Sequence, residues 1–123
     1  MATLSVSGIL VEMSRMKCRV DVQPLLDRVK GYLRQRFGEG IQAILLYGSY
    51  ARGSATPDSD IDLLVLIDET LSPTEVRRSL SELLYDILLE NGELISVIVT
   101  PKSFYETKNS LFLHRVREEA TSI

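Results

Sequence analysis

The sequence predicts a mixed fold of the α+β (α/β) class, a small mixed β-sheet covered by helices on one side. Three observations lead there. Leu25, Leu26, Val29, Tyr32, Leu33 and Phe37 recur at helical spacing and form one apolar stripe. Two short apolar runs, Ile44 to Tyr47 and a second that begins with Asp60 and Asp62 and continues through Leu63 to Ile67, have the length of buried strands. Ser72-Pro73-Thr74-Glu75 has the form of a capping box and opens a second amphipathic stretch.

In chain order, the first helix runs from about Asp21, with Pro24 suited to its first turn and Gly38 to its stop. Arg28, Lys30, Arg34 and Arg36 lie mostly off the apolar stripe, as on a solvated face. Gly38-Glu39-Gly40 turns the chain into the strand that stops at Gly48. Tyr50 to Arg52 is the first turn of a short helix, and Ser54 to Asp58 is a turn-rich connection shaped by Pro57 and Ser59. The helix after Ser72 turns Val76, Leu80, Leu83, Leu84, Ile87 and Leu88 inward and ends at Asn91-Gly92. Leu94 to Val99 is a third strand. A further helix begins at Thr100-Pro101, and Ser110 caps a last one carrying Leu111, Phe112 and Val116. The predicted order is α-β-(short α)-β-α-β-α.

A chain of 123 residues fits one domain, here expected over 21–123, preceded by an arm of uncertain structure over 1–20. A hydrophobic share of 45% and a charged share of 25% are those of an ordinary water-soluble domain. The net charge of −3 argues against a dedicated nucleic-acid binder, which carries a basic excess. The lone Cys18 has no internal disulfide partner, so a reducing cytoplasm is the expected compartment. Gly8 to Val11 is too short to span a membrane, and no basic residues precede it as in a secretory signal. His114 has neither a cysteine nor a second histidine beside it and reads as an exposed or packed residue.

The chemistry is concentrated in Gly48-Ser49 and, after ten intervening residues, Asp60-Ile61-Asp62. Two aspartates at alternate positions of a strand leave the same face, about 6.6–6.8 Å apart. Such a pair suits a hard divalent cation, and Mg²⁺ is commonly held by one or two carboxylates together with substrate phosphates. The Gly48-Ser49 turn can offer backbone N–H groups and a hydroxyl to those phosphates. Arg52 can either contact phosphate with two prongs or pin the loop through a nearby carboxylate. Two other readings fail at positions their chemistry requires. Asp58, Asp60 and Asp62 match the start of an EF-hand loop, but its sixth position needs glycine and here is Leu63. Gly48-x4-Gly53 matches a phosphate loop until Ser54 and Ala55 stand where Lys and Ser/Thr are required. The plainest alternative is a hairpin whose aspartates only solvate a turn.

Gly48-Ser49-x-Ala51-Arg52-Gly53, followed by Ser59-Asp60-x-Asp62-Leu63-Leu64-Val65, resembles the nucleotidyltransferase superfamily that includes DNA polymerase β, and within it the minimal nucleotidyltransferases of bacteria and archaea. The resemblance is clear from Ile41 to Ile67. It implies a polymerase-β-palm-like fold and transfer of a nucleoside monophosphate from an NTP, expected to be ATP, to a hydroxyl, with release of pyrophosphate. Asp60 and Asp62 would hold one or two Mg²⁺. Gly48, Ser49, Arg52 and Ser59 would hold the nucleotide. The family also uses a third acid on the strand after the intervening helix. Here that position aligns with Leu94, and Glu93 is the nearest candidate, although strand alternation points it to the opposite face. The resemblance further implies a partner protein, a HEPN-type ribonuclease toxin, as acceptor, and leaves room for a homo-oligomer. A chain lacking the third acid could instead be a non-catalytic nucleotide-binding module that neutralises its partner by complex formation. No membrane partner and no direct nucleic-acid contact are expected.

Overall fold

The computed structural model describes residues 19–123; residues 1–18 of the expected N-terminal arm, Cys18 among them, lie outside these. Helix α1 (Arg19–Phe37) ends where Gly38 takes a positive φ of 57° and opens a 3₁₀ turn, Gly38–Gly40. Strand β1 (Ile41–Tyr47) leads into the one-turn helix α2 (Ser49–Arg52), and strand β2 (Ile61–Ile67) follows a turn-rich connection. Helix α3 (Pro73–Asn91) crosses to strand β3 (Ile95–Pro101). Helices α4 (Lys102–Thr107) and α5 (Leu111–Glu119) then bring the chain back to a two-residue strand, β4 (Thr121–Ser122).

The sheet order is β3-β2-β1-β4. β1 is antiparallel to both neighbours, while β2 and β3 are parallel across the α3 crossover, so the sheet is mixed. The β1–β2 register shifts between Ile41 and Ala43, a bulge at Gln42 that lets Ile41 and Ile44 enter the same core despite their odd spacing. The short β4 was not expected from the sequence. Its two residues pair with Leu45 and Leu46, and the Ile123 N–H donates to the Ile44 carbonyl at 3.0 Å.

Alternation divides the sheet into two unequal faces. Ile61, Leu63, Val65 and Ile67 of β2 pack with Ile44 and Leu46 of β1 against Leu26, Val29 and Leu33 of α1 and Val76, Leu80 and Ile87 of α3. The Tyr32 hydroxyl donates to the Ser79 carbonyl at 2.6 Å and ties those two helices together. This is the predicted helix-covered side. The other face carries a smaller cluster, Leu64 and Leu66 against Val116 of α5, flanked by Tyr47 and Tyr105. Helical cover is therefore not confined to one side.

The caps form as read: Ser72 Oγ accepts from the Glu75 N–H at 3.4 Å, Gly92 closes α3 in the left-handed region, and Ser110 Oγ accepts from the Leu113 N–H at 3.1 Å. Three details differ from the sequence reading. Helix α1 extends back to Arg19, which leaves Pro24 inside the helix rather than in its first turn. Leu88 turns out to solvent beside Leu89. In α5 the buried positions are Leu113 and Val116, and Leu111 and Phe112 are exposed. None of the described helices is long and apolar enough to cross a membrane.

Candidate active site

The site lies where β1 ends and β2 begins, on the thinly covered face. Tyr47, last in β1, pairs with Asp62, second in β2. The next residue, Gly48, has φ 77° and ψ −155°, a region essentially restricted to glycine. A Cβ added to Gly48 would overlap the Asp62 carboxylate, so the absence of a side chain is what admits that carboxylate against the turn. Gly48 thus brings the two halves of the motif into contact. The turn is closed by the Ala51 and Arg52 N–H groups, which donate to the Gly48 carbonyl at 3.1 and 3.0 Å.

Around this contact is an open cavity of about 260 Å³. Tyr47, Gly48, Ser49, Arg52 and Asp62 form one wall, and Phe112, Arg115, Val116 and Glu119 of α5 form the other. Phe112 meets the Tyr47 ring edge-on at 5.6 Å between centroids, closing the apolar side. A larger groove of about 520 Å³ between α3 and β3, lined by Arg77, Arg78, Val97 and Ile98 among others, contains no carboxylate and lies apart from this chemistry.

Asp62 is half-buried, and its carboxyl is pushed up from the ordinary carboxylate range, chiefly by burial and then by the charge of Asp60. Arg52 opposes that rise and Glu119 adds to it. The Tyr47 hydroxyl is likewise pushed up by burial and by the charges of Asp62 and Glu119. Negative charge is therefore crowded on this wall, an environment that a cation would relieve. Asp60, exposed just before β2, does not line the cavity, but its charge reaches Asp62.

The other predicted residues divide cleanly. Ser49 and Arg52 line the cavity with Gly48 and Asp62. Ser59 does not: its Oγ accepts from the Thr56 N–H at 2.9 Å and shapes the turn leading to the aspartates. Glu93 is not at the aspartate face. It is buried beneath the turn, 3.5 Å from the Tyr50 hydroxyl, because it shares the parity of Ile95, which enters the main core. Extending the β2–β3 register places Leu94 alongside Asp60, and Leu94 is exposed. Among the described residues no group of three or more His, Cys, Asp or Glu is close enough to hold a metal ion. His114 is exposed, 3.0 Å from Glu118.

Sequence reasoning missed Glu119. Its carboxylate accepts from Arg52 at 2.9 Å and from the Gly48 N–H at 3.4 Å, with the side chain only 15% exposed. The pinning role considered for Arg52 is thus realised through an acid 67 residues away. A signal was present in the tail: Leu113, Val116 and Glu119 fall three apart, which places an acid on the buried stripe of the last helix.

The donor set fits a hard cation completed by phosphate oxygens and water: two aspartates at alternate positions, one of them half-buried, with oxygen ligands only. A four-stranded mixed sheet that joins a glycine-serine turn to an aspartate at a strand entrance defines an α/β domain with a polar cavity at that end of the sheet. Comparisons narrow this class. Residues 26–120 match the nucleotidyltransferase domain family. "Putative protein adenylyltransferase MJ0604" of Methanocaldococcus jannaschii is 32% identical over 83 residues, 68% of this chain and 77% of that protein. "Protein adenylyltransferase MntA" of Thermococcus cleftensis is 43% identical over 49 residues, 40% of this chain and 48% of that one. A crystal structure described as a toxin-antitoxin with AMP-PNP superimposes with a TM-score of 0.55 at 22% identity, covering 78% of this chain and 69% of that chain, and so shares the fold. The chain belongs to the nucleotidyltransferase domain family. Its matched stretch spans as little as 43% of the length of a curated relative.

Proposed function

We propose that this chain is a minimal nucleotidyltransferase that binds Mg-NTP and transfers AMP to a hydroxyl of a partner protein, as the antitoxin of a HEPN-type toxin. The observation that carries the reading is the Gly48–Asp62 contact, which puts the Gly48-Ser49 turn and the Asp62 carboxylate on one cavity wall. Relatives named protein adenylyltransferases and a fold neighbour described as a toxin-antitoxin with AMP-PNP support it.

In this reading Asp60 and Asp62 would hold Mg²⁺, which would supply charge neutralisation on the phosphate oxygens. The Ser49 hydroxyl and the Arg52 guanidinium grip the triphosphate. The acceptor oxygen forms a bond to the α-phosphorus, the bond from that phosphorus to the β-bridging oxygen breaks, and pyrophosphate departs. The hydroxyl proton passes to solvent. The protein contributes placement and charge, as phosphoryl-type transfer requires. The test is incubation with α-labelled ATP, Mg²⁺ and the candidate partner. Label should reach the partner, and Asp62→Asn should reduce transfer to background. The absence of both label transfer and a stable complex would overturn the proposal.

A second reading, a non-catalytic nucleotide-binding module, is favoured by one specific observation: Glu93 stands on the wrong face to supply a third acid. Calorimetry separates the two, since nucleotide binding without pyrophosphate release supports the module.

A further inference from the structure

The structure assigns Glu119 a positioning role: from the C-terminal end of α5 it fixes the Gly48 amide and the Arg52 guanidinium at the wall where the triphosphate docks. This rests on the nucleotide reading above and adds a residue to it. Three features carry the assignment.

The first is that one carboxylate serves both groups, Oε1 accepting from Gly48 and Oε2 from Arg52. Gly48, free of a side chain, can sample many backbone conformations, and the Glu119 contact to its N–H helps to select this one. Arg52, about half-exposed, would otherwise sample many rotamers. The second is that the pairing leaves Arg52 usable. Guanidinium has five N–H donors, and the contact to Glu119 runs through Nη1 alone. The third is that Glu119 is itself anchored: Val116 is buried on the same helix face, and β4, two residues on, is hydrogen-bonded into the sheet. The tail is a strut that reaches across the cavity to the turn. Holding the phosphate-facing groups in place before the ligand arrives lowers the ordering cost of binding.

The test uses the full chain with ATP and Mg²⁺ as probe, measuring affinity by calorimetry for the wild type, Glu119→Ala, Glu119→Gln, Arg52→Ala and the Arg52→Ala/Glu119→Ala pair. Exchange of the Gly48 amide is followed without nucleotide. Glu119→Ala should weaken ATP binding about tenfold, in keeping with the modest worth of preorganising two groups. Glu119→Gln should weaken it less, because its carbonyl oxygen still accepts from Gly48. The double variant should bind no worse than Arg52→Ala, since both changes disable one unit. Gly48 exchange should accelerate in Glu119→Ala and stay slow in Glu119→Gln. A purely structural acid would instead lower the melting temperature and add its effect to that of Arg52→Ala, which would overturn the assignment. So would tighter ATP binding by Glu119→Ala, which would make Glu119 a competitor for the phosphate seat. If Glu119→Ala does not fold, Glu119→Gln carries the test: binding equal to wild type with fast Gly48 exchange overturns it. Failure of the wild type to bind ATP overturns the nucleotide reading itself. That result is distinct, because Gly48 exchange still reports whether Glu119 holds the turn.

Discussion

The two faces of strand β2 are built for different ends. Its odd-numbered residues, Ile61, Leu63, Val65 and Ile67, are buried in the broad core between the sheet and helices α1 and α3. Its even-numbered residues run from Asp62 in the cavity to Leu64 and Leu66 under a thin cover from α5. The densely packed face supplies the stability that holds the lightly covered face, with its crowded carboxylates, in one geometry. Two glutamates make the same contrast. Glu93, the nearest candidate in the sequence for a third acid, is turned into the main core. Glu119, at the far end of the chain, reaches the cavity.

The contrast is tested most severely by truncating adjacent leucines of β2, both fully buried. Leu63→Ala opens a cavity in the main core and should cost about 4 kcal/mol, toward the upper part of the usual range. Leu64→Ala should cost about 2–3 kcal/mol, because its thinner surroundings can collapse or admit water. Urea melts of both variants measure this. Equal losses would show that the second face carries as much of the stability as the first.

Next in size is a pair of glycines. Gly48→Ala meets both a forbidden backbone region and the Asp62 carboxylate, and should cost roughly 2–4 kcal/mol together with ATP binding. Gly53 also has positive φ, 78°, but open space around it, so Gly53→Ala should cost about 1 kcal/mol and leave the cavity intact. If Gly48→Ala proved as mild as Gly53→Ala, the turn would not depend on the approach of Asp62.

Much of this arrangement could be read from the sequence. The long helices, their caps and the three main strands follow from periodicity and from Ser72, Gly92 and Ser110, all signals local in the chain. The Gly48–Asp62 pairing was legible because a fixed motif spacing carries it. What stayed hidden depends on long-range register. β4 is two residues long, below any periodic signal, and forms only because β1 offers an open edge. Glu119 reaches Arg52 through that same return of the chain. For Glu93, alternation already argued against the expected role, and the side of the sheet occupied by Ile95 decided it.

Beneath the turn, Tyr50 gives a pH signature of the Glu93 side. Its hydroxyl is pushed up to about 12, first by burial and then by the charge of Glu93 and the hydrogen bond to it. A phenol raised in the folded state keeps its proton there longer than in the unfolded chain. Its stabilising contribution is therefore complete below pH 10 and is lost as pH rises toward 12. At about 1.4 kcal/mol per unit, the loss is on the order of 2 kcal/mol across that window. Denaturant melts from pH 9 to 12 should show wild type falling more steeply than Tyr50→Phe. Parallel curves would mean that burial beside Glu93 does not raise the Tyr50 hydroxyl in the folded state.

The smallest effect belongs to the cap of the helix that carries the strut. Ser110→Ala removes the acceptor for the Leu113 N–H and should cost about 1 kcal/mol. Local loosening of α5 moves Glu119 more than it moves Asp62, which is fixed by β2. ATP affinity in this variant should therefore fall by a few-fold at most, and the fall should vanish in a Glu119→Ala background. A loss that persists there would mean that α5 serves the cavity through Phe112 or Arg115 instead.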